Sequence, residues 1–87
     1  MEITVEISMY PLQEGFVEPI LDFIAYLRGC EGFEVRVNET STHLFGDMDS
    51  IFNAIRDGMK ASWTRHGRSV FVLKVLGANL KDSAADV

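Results

Sequence analysis

The sequence has one cysteine, little positive charge and no long apolar run. A lone Cys30 excludes an internal disulfide, and no charged-then-apolar leader precedes the first strand, so we expect a reducing, cytoplasmic location. Eight basic residues against 13 acidic residues give a formal charge of -5, which disfavours nucleic-acid and anionic-membrane partners because it repels phosphate. The longest apolar run is too short to span a bilayer. This charge is compatible with a cationic small molecule.

The length and composition are those of one folded domain. The 87 residues are 47% hydrophobic and 24% charged, near the averages for globular proteins and far from compositions that stay disordered. This length allows a modest core and excludes a second domain. We expect a single domain over residues 1–78 and a flexible, polar C-terminal tail over residues 79–87.

Hydrophobic periodicity predicts six elements in the order β-α-β-β-α-β. The segment Glu2–Leu12 alternates polar and apolar side chains, which is typical of a strand. Apolar residues at helical spacing predict one helix over 16–27 and a second from 48, capped by Asp47 or Asp49 and ended by the RHGR motif at 65–68. Alternating segments at 33–38 and 40–45 predict a hairpin, and the β-branched segment 69–76 predicts the last strand.

This order of elements is the ferredoxin-like arrangement. Right-handed crossovers then predict an α+β fold, with an antiparallel sheet of strand order 4-1-3-2 and both helices on one face. An apolar edge strand on a bare sheet face favours association, so we expect a second subunit to cover the open face of a homo-oligomer. The last strand has apolar side chains on both of its faces, with Val70 and Val72 on one and Phe71, Leu73 and Val75 on the other.

The topology also predicts a polar cluster at one rim of the sheet. The carboxyl ends of the first two strands meet the amino ends of the last two strands at this rim. Hydroxyl, amide and imidazole groups that converge there can hydrogen-bond a small polar heterocycle. Side chains near strand ends also often satisfy turn backbones, so a purely structural role stays open for each of them. The cluster comprises Ser8, Tyr10, Asn38, Thr42, His43 and Ser69.

The remaining reactive side chains do not predict a metal or catalytic site. His43 and His66 lie on different elements with no second ligand at a recognised spacing, and Cys30 lies far from both. Glu6 shares its strand row with Glu2, and carboxylates on an exposed row are usually solvated, although Glu6 could alternatively pair with a ligand amine. We therefore expect no metal, no cofactor and no catalysis.

Two short motifs resemble the thiamine-binding YkoF-like family. The first is Ser8-Met9-Tyr10-Pro11, an S-x-Y-P strand end, and the second is a T-x-x-x-G-D junction between hairpin and helix at 42–47. The resemblance covers residues 2–78. It implies a ferredoxin-like subunit whose sheets pack face to face in dimers or tetramers. It also implies non-catalytic binding of thiamine or its hydroxymethylpyrimidine moiety, as a carrier, a sensor or an accessory to salvage.

The resemblance further implies which side chains bind the ligand, beginning with Ser8, Tyr10 and Thr42 at the motif positions. Hydroxyl and amide groups can meet the amine and ring nitrogens of an aminopyrimidine. An aromatic ring can stack on the pyrimidine, and a carboxylate favours a cationic thiazolium. The predicted ligand-binding residues are Ser8, Thr42, Tyr10, His43, Asn38, Glu6 and Phe45.

Two other classes of function remain open at this point. The first is a small regulatory or assembly module without a dedicated ligand, which would bind a partner protein and ignore thiamine-like compounds. The second is a dimeric ferredoxin-like monooxygenase that uses His43 for proton transfer, and it would lose turnover in a His43→Ala variant.

Overall fold

Six elements follow one another in the predicted β-α-β-β-α-β order. The structure, a computed structural model, describes residues 1–82, and the last five residues of the predicted tail lie outside the described residues. The elements are β1 (Glu2–Pro11), α1 (Val17–Arg28), β2 (Phe33–Val37), β3 (Thr42–Asp47), α2 (Met48–His66) and β4 (Ser69–Leu76). No helix within residues 1–82 has the length and apolar character needed to cross a membrane.

The four strands form one antiparallel sheet in the order β2-β3-β1-β4. This is the predicted order 4-1-3-2 read from the opposite edge, so the ferredoxin-like α+β fold is confirmed. The third strand begins at Thr42, two residues later than predicted, because the Asn38 side chain closes a turn over residues 38–41. We call residues 38–41 the β2–β3 turn.

The core lies between the sheet and the two helices. Strand side chains alternate between faces, and the odd-numbered row of β1 points towards the helices. Burying each large apolar side chain there contributes about 1.5–3 kcal/mol relative to leaving it exposed. The core residues include Ile3, Val5 and Ile7 of β1, Leu44 of β3, Phe23 and Leu27 of α1, and Ile51 and Ile55 of α2.

The junction between β3 and α2 depends on two neighbouring residues. Gly46 has a φ of 155°, and a Cβ atom there would lie 2.5 Å from the carbonyl oxygen of Gly32 and 2.6 Å from the Cα of Phe33. Only glycine lets β3 approach the start of β2 so closely. Asp47 then caps α2, because its carboxylate accepts a hydrogen bond from the backbone N–H of Ser50 at 2.9 Å. Of the two predicted caps, Asp47 is therefore the one used.

Residues 77–82, which we call the C-terminal strap, fold back across part of the open sheet face. The Thr4 hydroxyl donates to the carbonyl oxygen of Ala78 at 2.8 Å and accepts from the N–H of Leu80 at 2.9 Å. Lys81 forms a 2.9 Å ion pair with Glu34 of β2. These contacts hold residues 79–81 against the sheet.

The other half of the open face is bare in the single chain. Four side chains of β1 and β4 on this face are 46–55% exposed: Tyr10, Val70, Val72 and Leu76. We call these four residues the bare patch. The opposite row of β4 behaves as predicted, since Phe71 and Leu73 pack against the core. The apolar character of both rows of β4 therefore corresponds to one row on the core and one on the open face.

Candidate functional site

A cavity of about 270 Å³ opens at the predicted rim, on the helix side of the sheet. It lies between the end of β1, the first half of α1 and the β2–β3 turn, and we call it the rim cavity. Its polar lining comes from Ser8, from Thr42 and from the turn itself. Its apolar lining consists of Ile7, Met9, Ile20, Leu21, Phe23, Ile24 and Val37. The cavity therefore combines an apolar floor with a polar margin, which is the usual pattern of small-molecule sites.

Both motif residues line this cavity, but their side chains lie on different faces of the sheet. Thr42 is paired with Ile7 across the β1–β3 ladder and is only 6% exposed, so its side chain lies on the helix side with that of Ile7. Ser8 lies in the even-numbered row of β1, whose side chains point to the open face, and its hydroxyl donates a long 3.4 Å hydrogen bond to the carbonyl oxygen of Thr40 in the β2–β3 turn. Thr42 therefore supplies a hydroxyl on the cavity side, and Ser8 contributes to the turn at the margin of the cavity.

Asn38 shapes the margin of the cavity by organising the β2–β3 turn. Its side-chain oxygen accepts hydrogen bonds from the backbone N–H groups of Thr40 and Ser41, both at 2.9 Å. The backbone N–H of Asn38 donates to the carbonyl oxygen of Ser41 at 3.0 Å. This is the structural role that the sequence left open for Asn38, and the residue also lines the cavity.

Glu6 and His43 belong to a different cluster, on the open face of the sheet. The Glu6 carboxylate lies 3.0 Å from Nε2 of His43, and it accepts a 3.2 Å hydrogen bond from the Ser41 hydroxyl. Lys74 of β4 contacts the other carboxylate oxygen at 3.5 Å. The hydrogen bond with His43 is the main reason that the pKa of Glu6 lies below its usual value. The carboxylate is therefore ionised and already partnered, and the cluster lies outside the rim cavity.

The remaining predicted site residues are separated from the cavity as well. Tyr10 lies in the bare patch. Phe45 is 9% exposed on the open face, where the guanidinium of Arg36 stands 5.4 Å from its ring centroid. Ser69 accepts a 2.9 Å hydrogen bond from the indole of Trp63. The backbone positions converge as predicted, but neighbouring side chains on a strand point to opposite faces of the sheet.

Several lining residues were not among the predicted site residues. Ile20, Phe23 and Ile24 form the helix wall of the cavity, but their spacing predicts only a core-facing helix. Glu39 and Thr40 occupy the turn beside Asn38. The sequence could have indicated Glu39 and Thr40 through the position of that turn, because all residues of a hairpin loop at the rim lie close to one another.

A second concave region lies between the two helices, with a volume of about 410 Å³. Its polar groups mostly pair with one another: Nε2 of His66 lies 2.7 Å from the Asp22 carboxylate, which also contacts Arg65 at 3.4 Å. Within residues 1–82, the buried Ser62 hydroxyl has no hydrogen-bond partner. The same part of the chain contains no group of three or more His, Cys, Asp or Glu side chains arranged to hold a metal ion.

The chain resembles several solved structures. A Thermotoga maritima protein provisionally described as a thiamine biosynthesis/salvage protein is 18% identical, with coverage of 99% of this chain and 98% of that one and a TM-score of 0.85. A Streptococcus pneumoniae protein is 17% identical, with coverage of 99% and 97% and a TM-score of 0.83. A hypothetical protein of Methanocaldococcus jannascii is 23% identical, with coverage of 98% and 89% and a TM-score of 0.78.

Sequence comparison adds no closer relative. No family model matches the chain, and no curated protein matches it. At these identities the structural similarity shows a shared fold. The chain is thus similar, along nearly its whole length, to single-domain ferredoxin-like proteins that include one described in connection with thiamine.

Proposed function

We propose that this protein is a non-catalytic, YkoF-like binding protein that holds thiamine or its hydroxymethylpyrimidine moiety in the rim cavity. The observation that carries the proposal is the position of Ser8 and Thr42. These residues are 34 positions apart in the sequence and belong to two separate motifs, yet both line one cavity. The description of the Thermotoga maritima protein supports the same ligand class.

The size and lining of the cavity suit a single heteroaromatic ring. A volume of about 270 Å³ is at the lower end of the range for small-molecule sites. The apolar floor would bury the faces of a pyrimidine ring, and each buried aromatic or methyl carbon is stabilised by its removal from water. The hydroxyl of Thr42 can donate one hydrogen bond and accept others, and the β2–β3 turn adds further polar groups at the margin, which together match an amine next to ring nitrogens.

The bare patch supports a second part of the proposal, a homodimer or homotetramer formed through the open sheet face. The patch joins β1 and β4 through the cross-strand pair Tyr10 and Val70. Val72 and Leu76 continue the same row of β4, on either side of Lys74, which pairs with Glu6. The C-terminal strap covers the other half of this face, so the remaining apolar surface is bounded and can meet the same surface of a second copy. Such a two-fold contact is the commonest form of association for identical chains.

A calorimetric titration with hydroxymethylpyrimidine and thiamine tests the binding site. Thr42→Val keeps the shape of a buried side chain but removes its hydroxyl, so we expect about three- to tenfold weaker binding, the range of one neutral hydrogen bond. Ser8→Ala should have an effect of the same direction. Thr64→Val is the matched control, because Thr64 is exposed on α2 and is not part of the cavity lining.

Two outcomes would contradict the proposal. The first is that the folded wild-type protein binds neither compound. The second is that Thr42→Val and Thr64→Val bind the ligand equally well, since the cavity would then not be the site. Thermal unfolding of each variant without ligand verifies that a loss of binding is not a loss of folding.

A further inference from the structure

We infer that the rim cavity selects unphosphorylated ligands, and that Glu39 is the residue that sets this preference. The inference rests on the proposed function and narrows its ligand class to neutral or cationic aminopyrimidines. Phosphate esters of the same compounds would be rejected. Four features of the cavity and its surroundings support this inference: the charge of the lining, the hydrogen bonds of the turn amides, the first turn of α1, and the pairing of the charged groups on the open face beside the turn.

The lining of the cavity offers a phosphate no positive charge. In the described part of the chain, the lining contains no lysine, arginine or histidine, and its one charged residue is Glu39. Glu39 is an exposed residue of the β2–β3 turn, which forms the margin of the cavity and not its apolar floor. A phosphate at this opening would lose part of its hydration without gaining a charge-assisted hydrogen bond in return.

Three backbone amides of the β2–β3 turn, those of Asn38, Thr40 and Ser41, are already hydrogen-bonded within the turn. Consecutive N–H groups in a turn often form a nest for phosphate. Here the N–H groups of Thr40 and Ser41 both donate to the Asn38 side-chain oxygen, and the N–H of Asn38 donates to the carbonyl oxygen of Ser41. Binding a phosphate at this turn would require breaking hydrogen bonds that hold the turn together.

The amino end of α1, the other possible anion site near the cavity, is also unsuitable. A helix N-terminus attracts anions through its free N–H groups and its dipole. In α1 the first turn contains Glu18, whose carboxylate opposes a second anion, and Pro19, which has no N–H to donate.

The charged groups that approach the turn from the open face are already paired with one another. The Ser41 hydroxyl connects the turn to the Glu6 carboxylate, and Glu6 is paired with both His43 and Lys74. The surroundings of the cavity therefore include the Glu39 carboxylate on the turn and, on the open face, a Glu6 carboxylate whose charge is already paired. A phosphate would meet Glu39 without a compensating cation, and a thiazolium cation would meet it favourably.

A titration series on the full-length protein tests the inference. The probes are thiamine, thiamine monophosphate, hydroxymethylpyrimidine and its monophosphate, each measured by calorimetry at low ionic strength. We expect each phosphate ester to bind at least about tenfold more weakly than its parent alcohol. In Glu39→Gln the difference in affinity between alcohol and phosphate ester should become about three- to tenfold smaller, because the substitution removes a carboxylate that repels the phosphate by Coulomb interaction.

The matched control is Glu31→Gln, which makes the same chemical change at an exposed position preceding β2, at the opposite end of that strand from the β2–β3 turn. Its ratio of phosphate to alcohol affinity should equal that of the wild type. Added salt should raise this ratio in the wild type and leave it nearly constant in Glu39→Gln, because salt screens the repulsion between the phosphate and the Glu39 carboxylate.

The possible outcomes separate this inference from the proposed function. Phosphate esters that bind as tightly as the alcohols would overturn the selectivity and leave the binding function intact. A preference for the alcohols that persists unchanged in Glu39→Gln would overturn the role of Glu39. If none of the four compounds binds, the proposed function itself fails.

Discussion

At the scale of single residues, the direction of each side chain decides which predicted site residues meet. The positions that gather at the rim could be predicted, because they follow from the order of elements. Ser8, Asn38 and Thr42 line the rim cavity, whereas Glu6, His43 and Phe45 lie on the open face. On β3 the separation depends on the register against β1, since a shift of one residue would bring His43 and Phe45 to the helix side and Thr42 to the open face. Register is set by long-range packing, so the motifs alone could not predict it.

Asp47 provides a residue-scale prediction about pH. Hydrogen bonds from Ser50 to its carboxylate lower the pKa of Asp47 below its ordinary value of 3.8. A carboxyl group whose pKa is lower in the folded state adds stability above its unfolded pKa, and this stability is lost as the pH falls through the folded pKa. We therefore expect Asp47→Ala to lower the melting temperature near pH 6, with a difference from wild type that shrinks at pH values well below 3.8.

Thermal unfolding of both proteins across this pH range measures the effect, with Asp49→Ala as the comparison. Asp49 lies in the first turn of α2 but is not its cap. An Asp47→Ala penalty that stays constant down to the lowest pH would show that the carboxylate charge does not contribute.

Gly46 gives the corresponding prediction for backbone conformation. Gly46→Ala would place a methyl group against Gly32 and Phe33 at 2.5–2.7 Å, in a conformation that L-residues rarely adopt. Because the obstructing atoms include backbone, β3 would have to move away from the start of β2. We expect a loss of about 2 kcal/mol or more in the free energy of unfolding. Gly15→Ala is the control for φ alone, since Gly15 has a φ of 70° but nothing within 4 Å. Equal losses in the two variants would exclude the close contact as the cause.

At the scale of elements, the regular helices and strands could be predicted from periodicity, but the C-terminal strap could not. Residues 77–82 have no repeating apolar pattern, and they are held by hydrogen bonds to residues more than 70 positions away, such as those of Thr4 with Ala78 and Leu80. Their attachment depends on polar groups that become neighbours only when the sheet has formed. A tail that is polar in sequence can therefore be an ordered part of the sheet face.

Thr4→Val tests the strap at this scale. The substitution keeps a β-branched side chain in β1 but removes a hydroxyl that makes two hydrogen bonds to the strap. We expect a loss of about 1–2 kcal/mol in the free energy of unfolding and faster hydrogen exchange of the Leu80 amide. Thr64→Val should change neither quantity. If the Leu80 amide exchanges at the same rate in wild type and Thr4→Val, the Thr4 hydroxyl does not hold the strap.

At the scale of the whole molecule, the two halves of the open face have different roles. The strap bonds to Thr4 of β1 and to Glu34 and Arg36 of β2, whereas the four side chains of the bare patch on β1 and β4 are 46–55% exposed, and we propose that a second copy covers them. The apolar outer row of β4 predicted such a contact from the sequence. Its extent could not be predicted, because the coverage by the strap limits the patch to one side of the sheet.

Val72→Lys tests the association of whole chains. A lysine in the middle of the bare patch would place an unpaired charge in the contact between two copies, and burying such a charge costs more than the contact can supply. We expect the wild-type protein to be a dimer or tetramer by light scattering and Val72→Lys to be a monomer with unchanged secondary structure.

Val75→Lys is the matched control, since Val75 lies on the same strand and is equally exposed at 50%, but in the helix-facing row. A wild-type protein that is monomeric at high micromolar concentration would contradict the proposed assembly, and so would a Val72→Lys variant with the same mass as wild type. Because the rim cavity is lined by residues of a single chain and lies on the helix side of the sheet, the monomeric variant should still bind hydroxymethylpyrimidine with near wild-type affinity.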